Sequence, residues 1–569
     1  MSIFPHWLTT LKQQPKLIIS ELTAGFMMAI LVIPQSLGYA ALAGLPPIMG
    51  LYASIVPTLV YAYIGSSSVS ALGPVAVTAV MTASALSDYA TGSMQYIMLS
   101  ITLAFMVGAI LCLASVLRLG WIMQFVSRGV ASGFVSAAAA LIIITQFKNL
   151  IGAPIVGGSL TDIIKNLAHG SFYIQPSTAL LGVATFAILF ANRYVAGLWS
   201  WLPKSSADFA KRMLVIIITI ITIILANQLH WQELGIHLLE PLPTGFPTLS
   251  LPPLSISTLL AMLPSALLIA LIAFISSSAV ASNYARIHKE SFDNNKELLG
   301  LGFANIASSM SGGFAVTGGI SRTSLNIGLG AKTPLASVMC AVGILLILLF
   351  FGQFLTGLPY AVLSAIIVIS AISMVDFDTL NSALKHDKAD ALCWIISFIV
   401  AIGFGLNVGL IAGILSSFAL MIYRSHRVNI ATIGQIGDSG HFRDITRHKT
   451  TTFDNLLLLR IDESLYFGNA TTIHNTLRRR YYDHPKAHDI IIIMTAVNHL
   501  DLTAQEMLID FNQEIKSQGK RLHFAEIKGG VMDILKDSKL LNKLSGQVFL
   551  STKLAVDKLK HQSKDWHDM

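Results

Sequence analysis

Residues 312–326 read GGFAVTGGISRTSLN. The stretch lies between long apolar runs and sets an arginine, Arg322, where the chain belongs inside a bilayer. A charge near the bilayer centre costs roughly 2.5–3.5 kcal/mol on insertion scales, so Arg322 needs a partner, water or a substrate to offset it. A second stretch, GSSSVSALGPVAVTAV at residues 65–80, breaks the apolar pattern in the same way, with Gly and Ser ahead of a short apolar helix. Pro74 suits the first turn of a helix, and Gly318-Gly319 permits a sharp backbone change before another. Such half-helices persist at membrane depth where protein or a water-filled cavity satisfies the freed backbone groups. Their free N–H groups, with a partial charge of roughly +0.5 at each N-terminus, then make a site for anions. Paired breaks in two halves of a chain are the sequence mark of inverted-repeat transporters and imply alternating access. The alternative for Arg322 is a side chain that snorkels to an interface or bonds backbone carbonyls.

The rest of the chain fits a membrane setting. Of 569 residues, 54% are apolar and 12% charged, and the mean hydropathy is +0.67. Apolar runs long enough to span, roughly 17–25 residues each, recur from Leu17 to Tyr423. They stop after Arg424, where charged residues become frequent. The division expected is a cytoplasmic segment 1–20, a transmembrane domain 21–425 and a C-terminal domain. Gly/Pro breaks and charged loops cut the transmembrane part into about twelve to fourteen segments. Clusters such as Arg118 and Arg128, Arg286, Lys289 and Lys296, and Lys385 and Lys388 mark alternate loops, whereas residues 227–255 carry Glu233 and Glu240 and no Lys or Arg. That asymmetry places the long loop outside and both chain ends in the cytoplasm.

Several functions are excluded. Every carboxylate before residue 424, Glu21 and Glu297 among them, falls in a terminus, a loop or a span end, which disfavours simple carboxylate-based proton coupling. Cys112, Cys340 and Cys393 have no metal-like spacing, so no metal or other cofactor is expected. The net charge of +8 follows from bases flanking spans and does not call for nucleic acid. GLGAKT at residues 328–333 lacks the Gly that a P-loop needs directly before Lys, and neither H-E-x-x-H nor G-x-S-x-G occurs, so the chain does not read as an enzyme. An anion channel remains a rival, because an arginine in a pore also selects anions.

PQSLGYAALAGLPPIMGLY (34–52), GSS and GP (65–67, 73–74), LRLGWIMQFVSRGVASGF (117–134) and VTGGISRTSLN (316–326), in that order, resemble the SulP family of sulfate permeases and related anion transporters. The resemblance covers nearly the whole chain. It implies an α-helical membrane protein of about fourteen spans, a seven-plus-seven inverted repeat whose core domain moves against a gate domain, usually as a homodimer in the inner membrane. The substrate then lies between the third and tenth spans. Carried over residue by residue, the first-span substrate contacts fall on Gln35 and Tyr39, and the third-span N–H donors on Val75 and Ala76. The tenth-span Ser-Arg pair falls on Ser321 and Arg322, with Gly319 and Ile320 shaping the site. Where many members carry an eighth-span acid, this chain reads FISSSAVA, with Ser276 in that position as a possible hydroxyl contact. Exchange or uncoupled transport is the expectation that follows. Sulfate leads as substrate by family habit, with bicarbonate, chloride and dicarboxylates behind it, some of them proton- or sodium-coupled in the family.

From Asn455 the pattern alternates LLLLRI, TTIHNTLRRRYY, DIIIIMTAV, LTAQEMLIDFNQEI and RLHFAEI, which reads as a small α/β domain. It resembles the cytoplasmic STAS domain of the same family over residues 436–562, which implies a place for a cytoplasmic partner. Leu502 stands where phosphorylatable relatives carry serine, and Thr503 reads as a helix N-terminal residue. The run Arg478-Arg479-Arg480 reads as a solvated helix face.

Overall fold

The computed structural model describes residues 6–562, apart from 88, 90, 122–126, 154–173, 196–198, 200–202, 241–244 and 248. Residues 122–126 of the LRLGWIMQFVSRGVASGF stretch and residues 1–5 of the N-terminal segment therefore lie outside the described residues. The chain divides after Ser417 into two compact units.

The first unit is helical: α1 (Lys16–Leu42), α2 (Ile48–Ile64), α3 (Ala76–Ala85), α4 (Met94–Val116), α5 (Arg128–Ile151), α6 (Pro176–Tyr194) and α7 (Lys204–Gln228). Then follow α8 (Ile256–His288), α9 (Asn294–Met310), α10 (Ile320–Gly328), α11 (Leu335–Phe351), α12 (Tyr360–Ile372), α13 (Phe377–His386), α14 (Lys388–Phe404) and α15 (Leu406–His426), within which the division falls. Six helices among the described residues are long and apolar enough to cross a bilayer, and four shorter apolar ones accompany them. Packing comes in matched pairs, α1 on α11 with α8 on α4, and α4 on α9 with α11 on α2. A two-fold relation between halves offset by seven helices generates those pairs.

The two sequence breaks meet. β1 (Leu72–Gly73) and β2 (Thr317–Gly318) form an antiparallel ribbon in the register Leu72↔Gly318 and Gly73↔Thr317. α3 starts just after the first strand and α10 just after the second. In a setting without bulk water, the flanking backbone must be satisfied by protein. Asn305 of α9 brackets Val316, its amide donating to the Val316 carbonyl (3.0 Å) and its oxygen accepting from Val316 N–H (2.9 Å). Thr323 Oγ1 accepts from Ala71 N–H at 3.1 Å, and Asn326 Nδ2 donates to the Val69 carbonyl at 2.9 Å. The approach is so close that a Cβ on Gly73, whose φ is +155°, would lie 1.5 Å from Arg322 Nη1.

Glu21 performs a comparable service on α1. Its carboxylate is fully buried and accepts from the backbone N–H groups of Lys332 (2.8 Å), Thr333 (3.1 Å) and Ala336 (3.2 Å). It thereby satisfies the free donors around the start of α11.

The second unit carries a six-stranded sheet in the order β4-β3-β5-β6-β7-β8: β3 (Ile430–Gln435), β4 (Phe442–Asp444), β5 (Leu456–Ile461), β6 (Asp489–Ile493), β7 (Arg521–Ala525) and β8 (Val548–Phe549). The sheet thus begins at Ile430, ahead of residue 436. β5 to β8 run parallel and β3 antiparallel to β5. β5 and β6 are apolar without alternation because both faces are covered. One face packs on α16 (Ala470–Tyr482) and α17 (Leu502–Ser517) through Ile473, Leu477 and Phe511, and the other on α18 (Thr552–Gln562) through Ala555, Val556 and Leu559. Asp501 caps α17, its carboxylate accepting from Ala504 N–H at 2.9 Å, so Thr503 is a first-turn residue. Arg478 donates to Glu514 at 2.9 Å.

Beside this core, Asp489 at the start of β6 accepts from Arg521 Nε (2.7 Å) and Nη2 (3.0 Å). Gln547 N–H donates to His523 Nδ1 (3.0 Å), which leaves the proton on Nε2 to donate to Asp489 Oδ1 (3.0 Å). Burial pushes the Asp489 carboxyl up, but the hydrogen bonds from His523 and Arg521 and the charge of Arg521 outweigh it and hold it below its ordinary value. A depressed folded-state value means that the stabilisation is present above the unfolded carboxyl value, about pH 3.9, and is lost as pH falls through the folded one.

Two outcomes are expected. Asp489→Asn should lower the opening free energy of β6 and β7 by about 2 kcal/mol at neutral pH, with a smaller difference in acid, read as hydrogen exchange of those amides in the intact protein; equal protection would sink the assignment. Gly73→Ala should cost several times more than an ordinary Gly→Ala change, giving aggregated protein or protein lacking the ribbon, and a monodisperse variant with wild-type thermal stability would refute the close approach.

Candidate functional site

Two short helices start beside one another at the ribbon. Val75, the residue before α3, is extended (φ −129°, ψ 148°), and Gly319, before α10, is extended as well (φ −96°, ψ 135°); neither helix start has a side-chain cap. The first-turn N–H groups of Ala76 and of Ile320 and Ser321 therefore stay unclaimed by caps. The two starts touch, since Val75 Cγ2 lies 3.1 Å from the position a Cβ on Gly319 would take. Ile320 and Ser321 are exposed, while Ala76 and Gly319 are buried. Uncapped donors at two converging helix ends are the backbone arrangement that receives an anion.

The other expected residues come from helices that pack on these two, α1 and α8. On α1, Gln35 Nε2 donates to the Tyr39 hydroxyl at 2.8 Å, and the buried Tyr39 also engages Ser370 of α12. On α8, Ser276 is half-buried and Ser277 and Ser278 are fully buried. Ser277 is the one brought against the ribbon: its Oγ lies 2.4 Å from the position of a Cβ on Gly318.

Arg322 turns the other way. It is 1% exposed, and its guanidinium passes behind the ribbon, where Nη1 donates to the Leu72 carbonyl (3.0 Å) and Nη2 to Ser36 Oγ (2.5 Å) and Ser54 Oγ (3.2 Å). Ser36 in turn donates to Val32 O and Ser54 to Gly50 O, so both hydroxyls can accept from the arginine. Among the described residues none of these partners is a carboxylate, and Nε lacks a protein partner. Ser337 Oγ likewise lacks one, and both residues line a cavity of about 10 Å³, the space of a single water. The positive charge is thus buried and not cancelled by a neighbouring acid, and it sits at the rear of the two helix starts. The carbonyl-bonding alternative describes the contacts of Arg322; the field it makes is still positive.

Ser36, Ser54, Thr323 and Asn326, which hold the ribbon, escaped sequence reasoning. Small polar residues in otherwise apolar helices were the available signal, because such side chains bond between helices in membranes. Glu297 was read as a span-end acid. It does lie in the first turn of α9, yet it is fully buried, and its partners are on α2 and α8.

Residues 18–397 match the sulfate permease family and residues 447–555 the STAS domain. The chain is 31% identical over 537 residues to sulfate transporter 4.1, chloroplastic, of Arabidopsis thaliana, covering 90% of this chain and 77% of the relative. It is 26% identical over 546 residues to the probable sulfate transporter MT1781 of Mycobacterium tuberculosis, covering 95% of each. The fold matches the murine anion transporter Slc26a9 in its inward-facing state with a TM-score of 0.85 at 21% identity, over 99% of this chain and 96% of the other. It matches the transmembrane domain of the cyanobacterial bicarbonate transporter BicA with a TM-score of 0.59 at 21% identity, over 69% of this chain and 97% of the other. This multi-pass membrane protein belongs to the sulfate permease family, whose members transport anions and are not enzymes, and it carries a C-terminal STAS domain.

Proposed function

We propose that the chain is a secondary transporter that moves small inorganic anions by alternating access, with sulfate as the first substrate. The observation that carries this reading is the adjacent pair of uncapped helix starts beside a buried arginine with no acid among its partners in the described residues. The binding residues in this reading are Val75, Ala76, Gly319, Ile320 and Ser321 around the anion, Gln35, Tyr39 and Ser276 at its margins, and Arg322 behind it. Sulfate rests on the relatives named as sulfate transporters; bicarbonate follows from the fold shared with a bicarbonate transporter, and chloride and dicarboxylates suit the same donors. The protein works in this reading as a homodimer in the inner membrane, with both termini cytoplasmic and the STAS domain available to a cytoplasmic partner. Ser276 in place of an acid supports exchange or uncoupled passage, whereas the buried Glu297 beside Ser277 supports a proton carried with the anion.

Labelled sulfate uptake into proteoliposomes tests the reading. Saturable uptake, competed by other anions, is the expected result, while linear uptake would indicate a channel. Uptake of chloride or bicarbonate without sulfate would move the substrate to a monovalent anion. Arg322→Met keeps much of the side-chain volume and removes the charge, so it should lower uptake at least tenfold in protein that still elutes as one species. Arg322→Lys should retain part of it. Wild-type uptake by the folded Met variant would remove Arg322 from the site.

A further inference from the structure

α9 opens with an acid that neither the anion site nor the helix requires. Asp293 already caps α9, its Oδ1 accepting from Asn295 N–H at 2.8 Å and Lys296 N–H at 3.3 Å. Glu297, next in the first turn, is 0% exposed. The Tyr61 hydroxyl of α2 reaches both of its oxygens, at 2.9 Å (Oε1) and 2.7 Å (Oε2), and Ser277 Oγ of α8 donates to Oε1 at 2.5 Å. Among the described residues, no arginine, lysine or histidine is one of its partners. The groups around it are the Tyr61 phenol from α2, the Ser277 hydroxyl from α8, Cys112 of α4 against Gly302 farther along α9, and Ser66, whose backbone N–H donates to the carboxylate and whose hydroxyl accepts from Asp293 N–H. Lys296 on the same helix is exposed, and Glu290 lies in the preceding loop with Ser68 donating to it at 2.6 Å.

An ionised carboxylate kept from water without a cation is costly even when hydrogen-bonded, and the cost disappears when the group takes a proton. What makes this acid relevant to transport is its position. Ser277 Oγ, which donates to it, is the same atom that lies against Gly318 of β2, one residue ahead of the Gly319 that precedes α10. A single hydroxyl therefore separates the carboxyl from the ribbon that sets the two helix starts. A negative charge there opposes the entry of another negative charge, and a neutral acid does not.

We propose that Glu297 binds the proton that accompanies the anion, neutral when the anion site is loaded and ionised after release. The step is a proton binding: an O–H bond forms on the carboxylate, and its hydrogen then points to Ser277 Oγ, reversing that hydrogen bond. The proposal rests on the anion-transport reading above and replaces exchange with symport.

The test uses the full-length protein in proteoliposomes with the membrane potential clamped at zero. Wild type should accumulate labelled sulfate when an inward proton gradient is imposed, roughly tenfold per pH unit for each proton carried. Glu297→Gln should reduce accumulation to less than twofold while exchange of labelled for unlabelled sulfate stays measurable. Undiminished accumulation by Glu297→Gln, or exchange without accumulation by wild type, overturns the proposal. Ser277→Ala keeps the carboxyl and removes one donor to its ionised form, so the pH of half-maximal accumulation should rise; an unmoved profile also counts against it. If wild type neither exchanges nor accumulates sulfate, the substrate reading fails separately. Infrared difference spectra between acid and alkaline pH then decide, since a protonated-carboxyl band present in wild type and absent in Glu297→Gln supports the proton site and its absence from wild type refutes it.

Discussion

A guanidinium group enclosed at the back of a two-stranded ribbon is the constraint on which the membrane unit depends. Arg322 cannot be solvated where it lies, so the carbonyl of Leu72 and the hydroxyls of Ser36 and Ser54 must face it. Those three residues belong to β1, α1 and α2, and holding them together fixes where α3 begins relative to α10. The same contact dictates glycine at position 73, because the arginine occupies the space a side chain would fill. Geometry and charge are thereby set by one residue: it aligns two helix starts and leaves a positive potential behind them.

This arrangement separates the residues that hold the ribbon from those that face outward beside the helix starts. The inner side of α10 carries Arg322, Thr323 and Asn326, all buried and all bonded to the segment around β1. Its other side shows Ile320, Ser321 and Ser324 to the surroundings. Specificity among anions can therefore change through exposed positions without loosening the ribbon. Backbone donors accept many oxyanions, which fits a family whose members carry different ones.

Much of this was legible in the sequence. Two Gly/Ser-rich interruptions announced paired half-helices, and an arginine in the second announced an anion field. The unbroken apolar runs LLLLRI and DIIII announced parallel strands covered on both faces. What the sequence concealed was direction. An arginine beside an exposed serine reads equally well as facing the substrate or facing away, and its partners Ser36 and Ser54 lie 286 and 268 residues distant. Glu297 was hidden for a related reason. An acid at the start of a helix looks like a solvated span end, and its burial is decided by Tyr61, 236 residues earlier, and Ser277.

The ribbon also sets a schedule for biogenesis. Its strands join Leu72 to Gly318, so the first half of the protein enters the membrane with the polar groups of β1 unpaired and with no arginine to receive the Leu72 carbonyl. At roughly 5–20 residues per second, translation reaches the second strand on the order of tens of seconds later. During that interval the edge of β1 must stay hydrated or be sheltered by the insertion machinery, and no fragment ending before the second break can contain the ribbon. Long-range strand pairing of this kind makes the paired helix starts a late feature of the membrane unit.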